Sequence, residues 1–243
     1  MDPGVATSRR SIVPRTLARV RSAERRRRSR LLVVNAARAA LSFDGRLTGP
    51  TIEDVCEQAG IHPHAYRALF PTTDVLLDEI ARLLVAESAS RMERMIEQFI
   101  PDGDPPDDLA RAAICLARSS PLDRAGLMTR VERRIAAVRR RDGGDTAEGA
   151  EDALIAVLAD ILRALLGKLG RRLSWPPHVL ARVVLDTYER SFEGWLLGLN
   201  EESTFHESDY VREVLPLILR DATTAGSMPE RRSRSPRRSH GPG

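Results

Sequence analysis

Four residues in one short span carry donors that could do chemistry: His62, His64, Tyr66 and Arg67. Imidazole, phenol and guanidinium groups at this density hydrogen-bond phosphate oxygens and the edges of bases. A second group, Arg25, Arg26, Arg27 and Arg28, sets four guanidiniums in a row. Such a run suits phosphate contact, or insertion into a minor groove as an arm. Each has a plainer alternative: solvated charge for the arginines, bare surface for the histidines, an inward-packed ring for Tyr66. A metal is not expected. His62 and His64 lie two apart with no cysteine or carboxylate in support. Catalytic residues and cofactors are not expected either. The chain has no glycine-rich phosphate loop, no GxSxG and no HExxH, and its five histidines are scattered.

These donors need a scaffold, and Thr51 to Phe70 reads as one. Thr51 can cap a first helix, with Asp54 three residues on. Ile52, Val55 and Ala59 share a face at helical spacing. Gly60 suits the left-handed residue that ends a helix, and Ile61 can plug the turn. Pro63 fits the first turn of a second helix, which Phe70 closes before Pro71. Two short helices about a glycine turn form a helix-turn-helix unit, whose second helix enters the DNA major groove. The candidate DNA contacts are therefore Arg25 to Arg28, Thr51, His62, Pro63, His64, Tyr66, Arg67 and Thr73.

Charge is distributed to match. Of a formal net charge of +4, residues 1–30 carry +8 and residues 230–240 carry +4, so the body between them carries −8. One basic end directly precedes the proposed DNA-binding unit. Cys56 and Cys115 are the two cysteines, too few for a disulfide framework. No apolar run approaches the roughly 20 residues of a membrane helix, and no apolar stretch follows the basic start as in a signal peptide. A cytoplasmic, nucleoid-associated protein without membrane contact is expected.

The rest of the chain predicts helix after helix. Residues 1–23 read as a disordered basic arm, and a helix begins near Glu24 and ends at Gly45. After the two motif helices, Asp74 to about Phe99 is a long fourth. Helices from about Asp107 and from Pro121 follow, then a polar loop at Gly143 and Gly144. Further helices span Glu151 to Lys168, His178 to Leu199 and Ser208 to Asp221. Residues 223–243 read as a disordered basic tail. The expectation is all-α, with about nine helices and no strand. A helix-turn-helix DNA-binding domain fills residues 24–73, and a helical ligand-binding and dimerisation domain fills residues 74–222.

With Val33-Val34-Asn35-Ala36-Ala37 before Gly45, Thr51 to Val55 before Ala59-Gly60-Ile61, Phe70 ten residues after Gly60, and then Leu76-Leu77, the sequence resembles the tetracycline-repressor-like (TetR) family of transcriptional regulators. The match covers about Arg28 to Ile80. It departs from the family at Arg67, usually tyrosine, at His62, usually a small hydroxyl cap, and at Thr73, often lysine. One extra residue separates Gly45 from Thr51. The resemblance implies a homodimeric repressor that binds a palindromic operator on double-stranded DNA and is released by a small-molecule effector. It also implies that the last two helices pair with those of a second copy. Leu180, Val184, Gly194, Trp195, Gly198, Val211, Leu215 and Ile218 are the interface candidates. Gly194 and Gly198 support this, since each costs about 1 kcal/mol inside a helix unless close approach offsets it. Met92, Met95, Phe99, Met128, Tyr188 and Phe192 are candidates for an effector pocket, and their chemistry suggests an apolar ligand. Two other functions stay open at this point. One is a helix-turn-helix relic acting through a protein partner or a ligand; the other is an all-helical enzyme.

Overall fold

The computed structural model describes residues 13–44, 47, 49–119, 122–140 and 146–225. Nine α-helices run through them: α1 (Val13–Asp44), α2 (Gly49–Gln58), α3 (Pro63–Leu69), α4 (Thr73–Gln98), α5 (Pro105–Arg118), α6 (Arg124–Arg140), α7 (Thr146–Lys168), α8 (Pro177–Leu197) and α9 (Leu215–Asp221). The fold is all-α, as expected. A 3-10 turn at Glu202–Glu207 and a π turn at Tyr210–Val214 lie between α8 and α9. Pro216 explains the π turn: it has no N–H to give, and Leu215 N–H reaches back to Tyr210 O instead.

Several boundaries differ from the sequence expectation. Helix α1 starts at Val13 rather than near Glu24, so part of the expected arm is helical. Pro14 stands in its first turn, where the ring is tolerated, and Arg, Ala and Leu then favour helix. Residues 1–12 and Gly45 lie outside the described residues. The expected tail also begins too early, because Thr223–Ala225 forms strand β2, antiparallel to β1 (Arg171–Leu173). The register pairs Arg172 with Thr224. This short ribbon ties the end of α9 to the end of α7, and residues 226–243 lie outside the description.

Two hydrophobic cores share one helix. The first gathers Val33, Ala37 and Leu41 of α1 with Val55, Tyr66 and Phe70, and with Leu76, Leu77, Ile80 and Leu84 of α4. The second holds Met92 and Ile96 of the same α4 with α5, α7, α8 and α9. Helix α4 is therefore apolar on one face toward its start and on another toward its end, and the two cores meet inside it.

Candidate nucleic-acid interface

Helix α2 ends as its sequence requires. Gly60 has φ +63°, Gly60 N–H bonds Glu57 O and Ile61 N–H bonds Cys56 O, both at 3.0 Å. This paired closure turns the chain sharply and delivers Pro63 to the first turn of α3. His62 caps α3: its Nδ1 accepts from His64 N–H at 3.2 Å. An imidazole nitrogen thus does the work expected of a small hydroxyl. Thr51 does not cap α2. The helix starts two residues earlier, at Gly49, and Thr51 is buried in its first turn.

The seven residues of α3 are too few for a self-sufficient helix. Its inner face is Tyr66, buried against Phe70 with ring centroids 5.9 Å apart. Burial pushes the Tyr66 hydroxyl above its usual range. The ring packs inward, so Tyr66 is placed in the core rather than at the surface. Pro63, His64, Ala65, Arg67 and Ala68 face solvent. His64, Arg67 and Ala68 stand three and four apart and share one face. Among the described residues no hydrogen bond or ion pair engages Arg67. Two bare alanines beside it leave room for close approach to a groove.

The C-terminal end of α3 is held from α1. Arg30 donates from Nη1 to Leu69 O at 2.8 Å and from Nη2 to Glu79 Oε2 at 2.7 Å. Its guanidinium lies 4.5 Å from the Phe70 ring centroid. Arg26 Nη2 makes a longer contact, 3.5 Å, with Ala68 O. Cations here satisfy the free carbonyls of a helix end. The Arg30 hydrogen bond is the main reason the Glu79 carboxyl titrates below its ordinary value. Arg25 to Arg28 are all exposed, on the same helix as this clamp. Thr73 is exposed at the start of α4, where Thr72 Oγ1 accepts from Val75 N–H.

Behind this unit, a cavity of about 330 Å³ opens between α4, α6 and α7. Its lining includes Leu84, Val85, Asp123, Arg130, Arg133, Arg134, Glu151 and Leu154. Glu189 of α8 is buried beside it and accepts from Arg130 Nε at 3.0 Å and from Arg134 Nη2 at 3.0 Å. Two lining residues also grip the helices of the first core. Arg133 donates to Asp78 of α4 at 3.0 Å. Asp123 caps α6 through Gly126 N–H and accepts from Arg38 of α1 at 3.1 Å, and Arg38 also bonds Glu87.

None of the six residues expected to line an effector pocket borders this cavity. Met92, Phe99, Tyr188 and Phe192 are buried in the second core. There Phe205 stands edge-on to Tyr188 and Phe192, at 4.9 and 5.1 Å between centroids. Met128 packs against the first core. Met95, Tyr188 and Phe192 border a separate, more open cleft with Arg118, Glu202 and His206. Met92, Phe99 and Met128 pack in or against the two cores, as apolar side chains fill the spaces between helices first. The charged residues beside the cavity do leave a signal in the sequence. Glu189 sits one helical turn from Leu185, and Arg130 three residues from Leu127, so both interrupt apolar faces.

The interface candidates separate into two sets. Leu180, Val184, Val211 and Leu215 are fully buried within the chain and cannot touch a second copy. Trp195 and Ile218 are half-buried, and Trp195 donates from Nε1 to Glu201 O. Gly194 and Gly198 are exposed. A Cβ on Gly194 would meet nothing within 4 Å, whereas one on Gly198 would press on Asn200 at 2.9 Å. A Cβ on Gly198 would displace only the flexible end of Asn200, so packing within the chain requires neither glycine. Exposed apolar side chains stand at this end, Leu197 and Leu199.

Among the described residues no group of three or more His, Cys, Asp or Glu could hold a metal ion. No described helix is long and apolar enough to cross a membrane. No protein-family profile matches the chain, and no curated protein does. Solved structures do share its fold. A Mesorhizobium loti protein described as a TetR-family transcriptional regulator superposes with a TM-score of 0.56 at 14% identity, over 82% of this chain and 98% of its own. A Rhodococcus protein described in the same terms gives 0.51 at 18%, over 79% and 98%. Salmonella enterica GusR gives 0.50 at 16%, over 80% and 94%. The fold is the TetR-like one.

Proposed function

We propose that this chain, built on the TetR-like fold, is a DNA-binding transcriptional regulator that acts as a homodimer and is released from a palindromic operator by a small molecule. The observation that carries this reading is the outer face of α3. His64, Arg67 and Ala68 are presented to solvent by a helix fixed at one end by the Gly60 turn and at the other by Arg30. Arg67 reaches a phosphate or a guanine, His64 a base edge or sugar, and Ala68 a thymine methyl. Arg25, Arg27 and Arg28 add phosphate contacts from α1.

Dimerisation follows from geometry and from surface. One seven-residue helix reads few base pairs, and two copies in symmetry give a site long enough to be specific. The exposed apolar residues along the outer sides of α8 and α9, Leu197 at one end and Val214 and Leu217 towards the other, are the surface a second copy would cover.

Regulation uses the ion pairs that leave the cavity. Arg133 holds Asp78, the next residue Glu79 holds Arg30, and Arg30 holds the end of α3. A ligand that takes Arg133 from Asp78 shifts α4 relative to α6, and with it the recognition helix. Only a ligand with unequal affinity for the two arrangements has this effect. Loss of DNA on ligand binding makes the protein a repressor in the simplest circuit.

The test is selection from a random DNA pool with the full chain, followed by gel shift. A palindromic product is expected. Arg67→Ala should weaken binding several-fold or more while the melting temperature holds. An unchanged affinity sinks the assignment of Arg67. Recovery of no sequence, with affinity insensitive to salt, sinks the DNA reading and favours a protein-binding relic.

A further inference from the structure

We propose that the groove between α1 and α4 docks an acidic amphipathic helix of a partner protein, its carboxylates on Arg26, Arg27 and Arg82 and its apolar side chains on Leu31 and Leu83. The inference deepens the regulator reading by naming a kind of partner. Only the competition with DNA rests on that reading; the docking does not.

The two helices run side by side. Arg30 pairs with Glu79, and eight residues further along both helices Arg38 pairs with Glu87. Near the first of these pairs the seam opens as a groove, with Val34 buried at its floor. Four guanidiniums line it, those of Arg26, Arg27, Arg30 and Arg82, against the single carboxylate of Glu79. Glu79 is already divided between Arg30 and Arg82, and its neighbour Asp78 is held by Arg133 of α6. With Glu24 and Asp74 counted beside Arg25 and Arg28, this end of the two helices carries six guanidiniums and three carboxylates besides Asp78. The surplus is within reach of a partner. Arg26 and Arg27 are exposed, and the Arg82 side chain is 65% exposed. Among the described residues Arg27 makes no hydrogen bond or ion pair, and Arg26 has only its 3.5 Å contact with Ala68 O. Carboxylates are the protein groups that such guanidiniums bind most strongly.

Charge alone would suit DNA, but this surface also carries an apolar line. Val20, Ala23, Arg27 and Leu31 recur at spacings of three and four and share one face of α1. Val20 is 61% exposed and Leu31 51%. Leu83 stands half-buried across the groove. From Val20 to Leu31 is about 16 Å, or roughly three helical turns. That matches a helix laid in a groove and held by anchors one turn apart. A phosphate backbone satisfies the arginines and leaves the leucines wet, whereas an acidic amphipathic helix covers both. On the regulator reading such a partner takes Arg27 from phosphate, so docking and DNA binding compete.

Fluorescence anisotropy on the full chain tests this with a labelled four-turn peptide, leucines along one face and glutamates on both flanks. Two controls replace its leucines by serine or its glutamates by glutamine. The parent peptide should bind at least tenfold more tightly than either. Leu31→Ser, at an exposed site, should weaken the peptide at least fivefold and leave affinity for the selected DNA within twofold, with circular dichroism as the check on its fold. Should that variant not fold, Arg82→Gln should weaken the peptide at least threefold. Equal binding of the serine control overturns the proposal, since charge alone would explain it and the arginines would be left to phosphate. So does a folded Leu31→Ser chain that keeps the peptide, or one that loses DNA as strongly as peptide. So does the absence of binding by the parent peptide. Saturating peptide should weaken the selected operator at least threefold, and unchanged operator affinity overturns the competition. Peptide binding by a chain that selects no DNA would refute the regulator and keep the docking site. DNA selection without peptide binding would do the reverse.

Discussion

Replacing Arg30 by alanine should loosen α3 without touching its outer face. The side chain makes three interactions, and each has a magnitude. The charged donor on Leu69 O, at 2.8 Å, contributes about 1.5 kcal/mol. The pair with Glu79 is about a quarter exposed on each side and contributes about 0.5 kcal/mol after screening. Stacking over Phe70 at 4.5 Å contributes about 0.5 kcal/mol. Because one side chain makes all three, they are not independent, and about 2 kcal/mol in total is expected. For a chain of this size that lowers the melting temperature by roughly 4–8 °C. If α3 must be re-ordered on DNA, affinity for the selected operator falls by up to about thirtyfold. Differential scanning fluorimetry and fluorescence anisotropy measure the two effects. The salt dependence separates positioning from contact. A lost phosphate contact lowers the slope of log affinity against log salt by about 1, whereas a lost clamp leaves it unchanged. Arg30→Lys restores charge but not the fork, and should recover less than half of the loss. A melting temperature within 1 °C of the native chain, or full rescue by lysine, refutes the clamp.

Two further outcomes follow from the same unit. Tyr66→Phe should leave DNA affinity and stability within about 0.5 kcal/mol, and Tyr66→Ala should destabilise by about 3 kcal/mol, because the ring is core; a large affinity loss in the phenylalanine variant would put the hydroxyl on DNA after all. The Glu79 carboxyl titrates below its ordinary value, chiefly through the Arg30 hydrogen bond. Its contribution is therefore full above the unfolded-state value and is lost as pH falls through the folded-state value. Native and Glu79→Gln chains should differ by no more than about 1 kcal/mol at pH 7 and converge in thermal melts as pH falls through the folded-state value; a difference that does not shrink with acidification contradicts the pairing.

The helix-turn-helix was legible because its signals are local. A glycine that must adopt φ +63° and a proline fit for a first turn fix the Gly60 junction whatever surrounds them. Thr51 shows the limit of such reasoning. A hydroxyl before an apolar run is a good cap, but the helix began at Gly49 and buried it. Tyr66 and Arg67 are adjacent polar-tipped residues of similar reach, and only the position of the core tells which one turns inward. Four of the dimer candidates, Leu180, Val184, Val211 and Leu215, lie inside the chain for a related reason. Periodicity marks a buried face, and Leu180 and Val184 are buried by their own chain. What identifies a surface for a second copy is an unexplained exposed group, and Gly194 became one only when the space around it was known. The cavity was the least legible feature. Its charges sit on helix faces whose apolar neighbours drew the eye to the methionines and aromatics, and whether Glu189 meets Arg130 depends on how α6 lies against α8.

One helix runs unbroken through both cores, and this sets how such a protein can be recombined. Cutting at Thr73, where the sequence changes character, would strip Leu76, Leu77, Ile80 and Leu84 from the first core and leave it unable to fold. A chimaera that takes its first core from one parent and its second from another must be joined within α4, between Leu84 and Met92. The junction must also conserve length. Each α-helical residue turns the axis by about 100°, so one inserted residue there would rotate one core about a third of a revolution against the other. Deletions and insertions in that stretch should therefore be far less tolerated than substitutions on its exposed side.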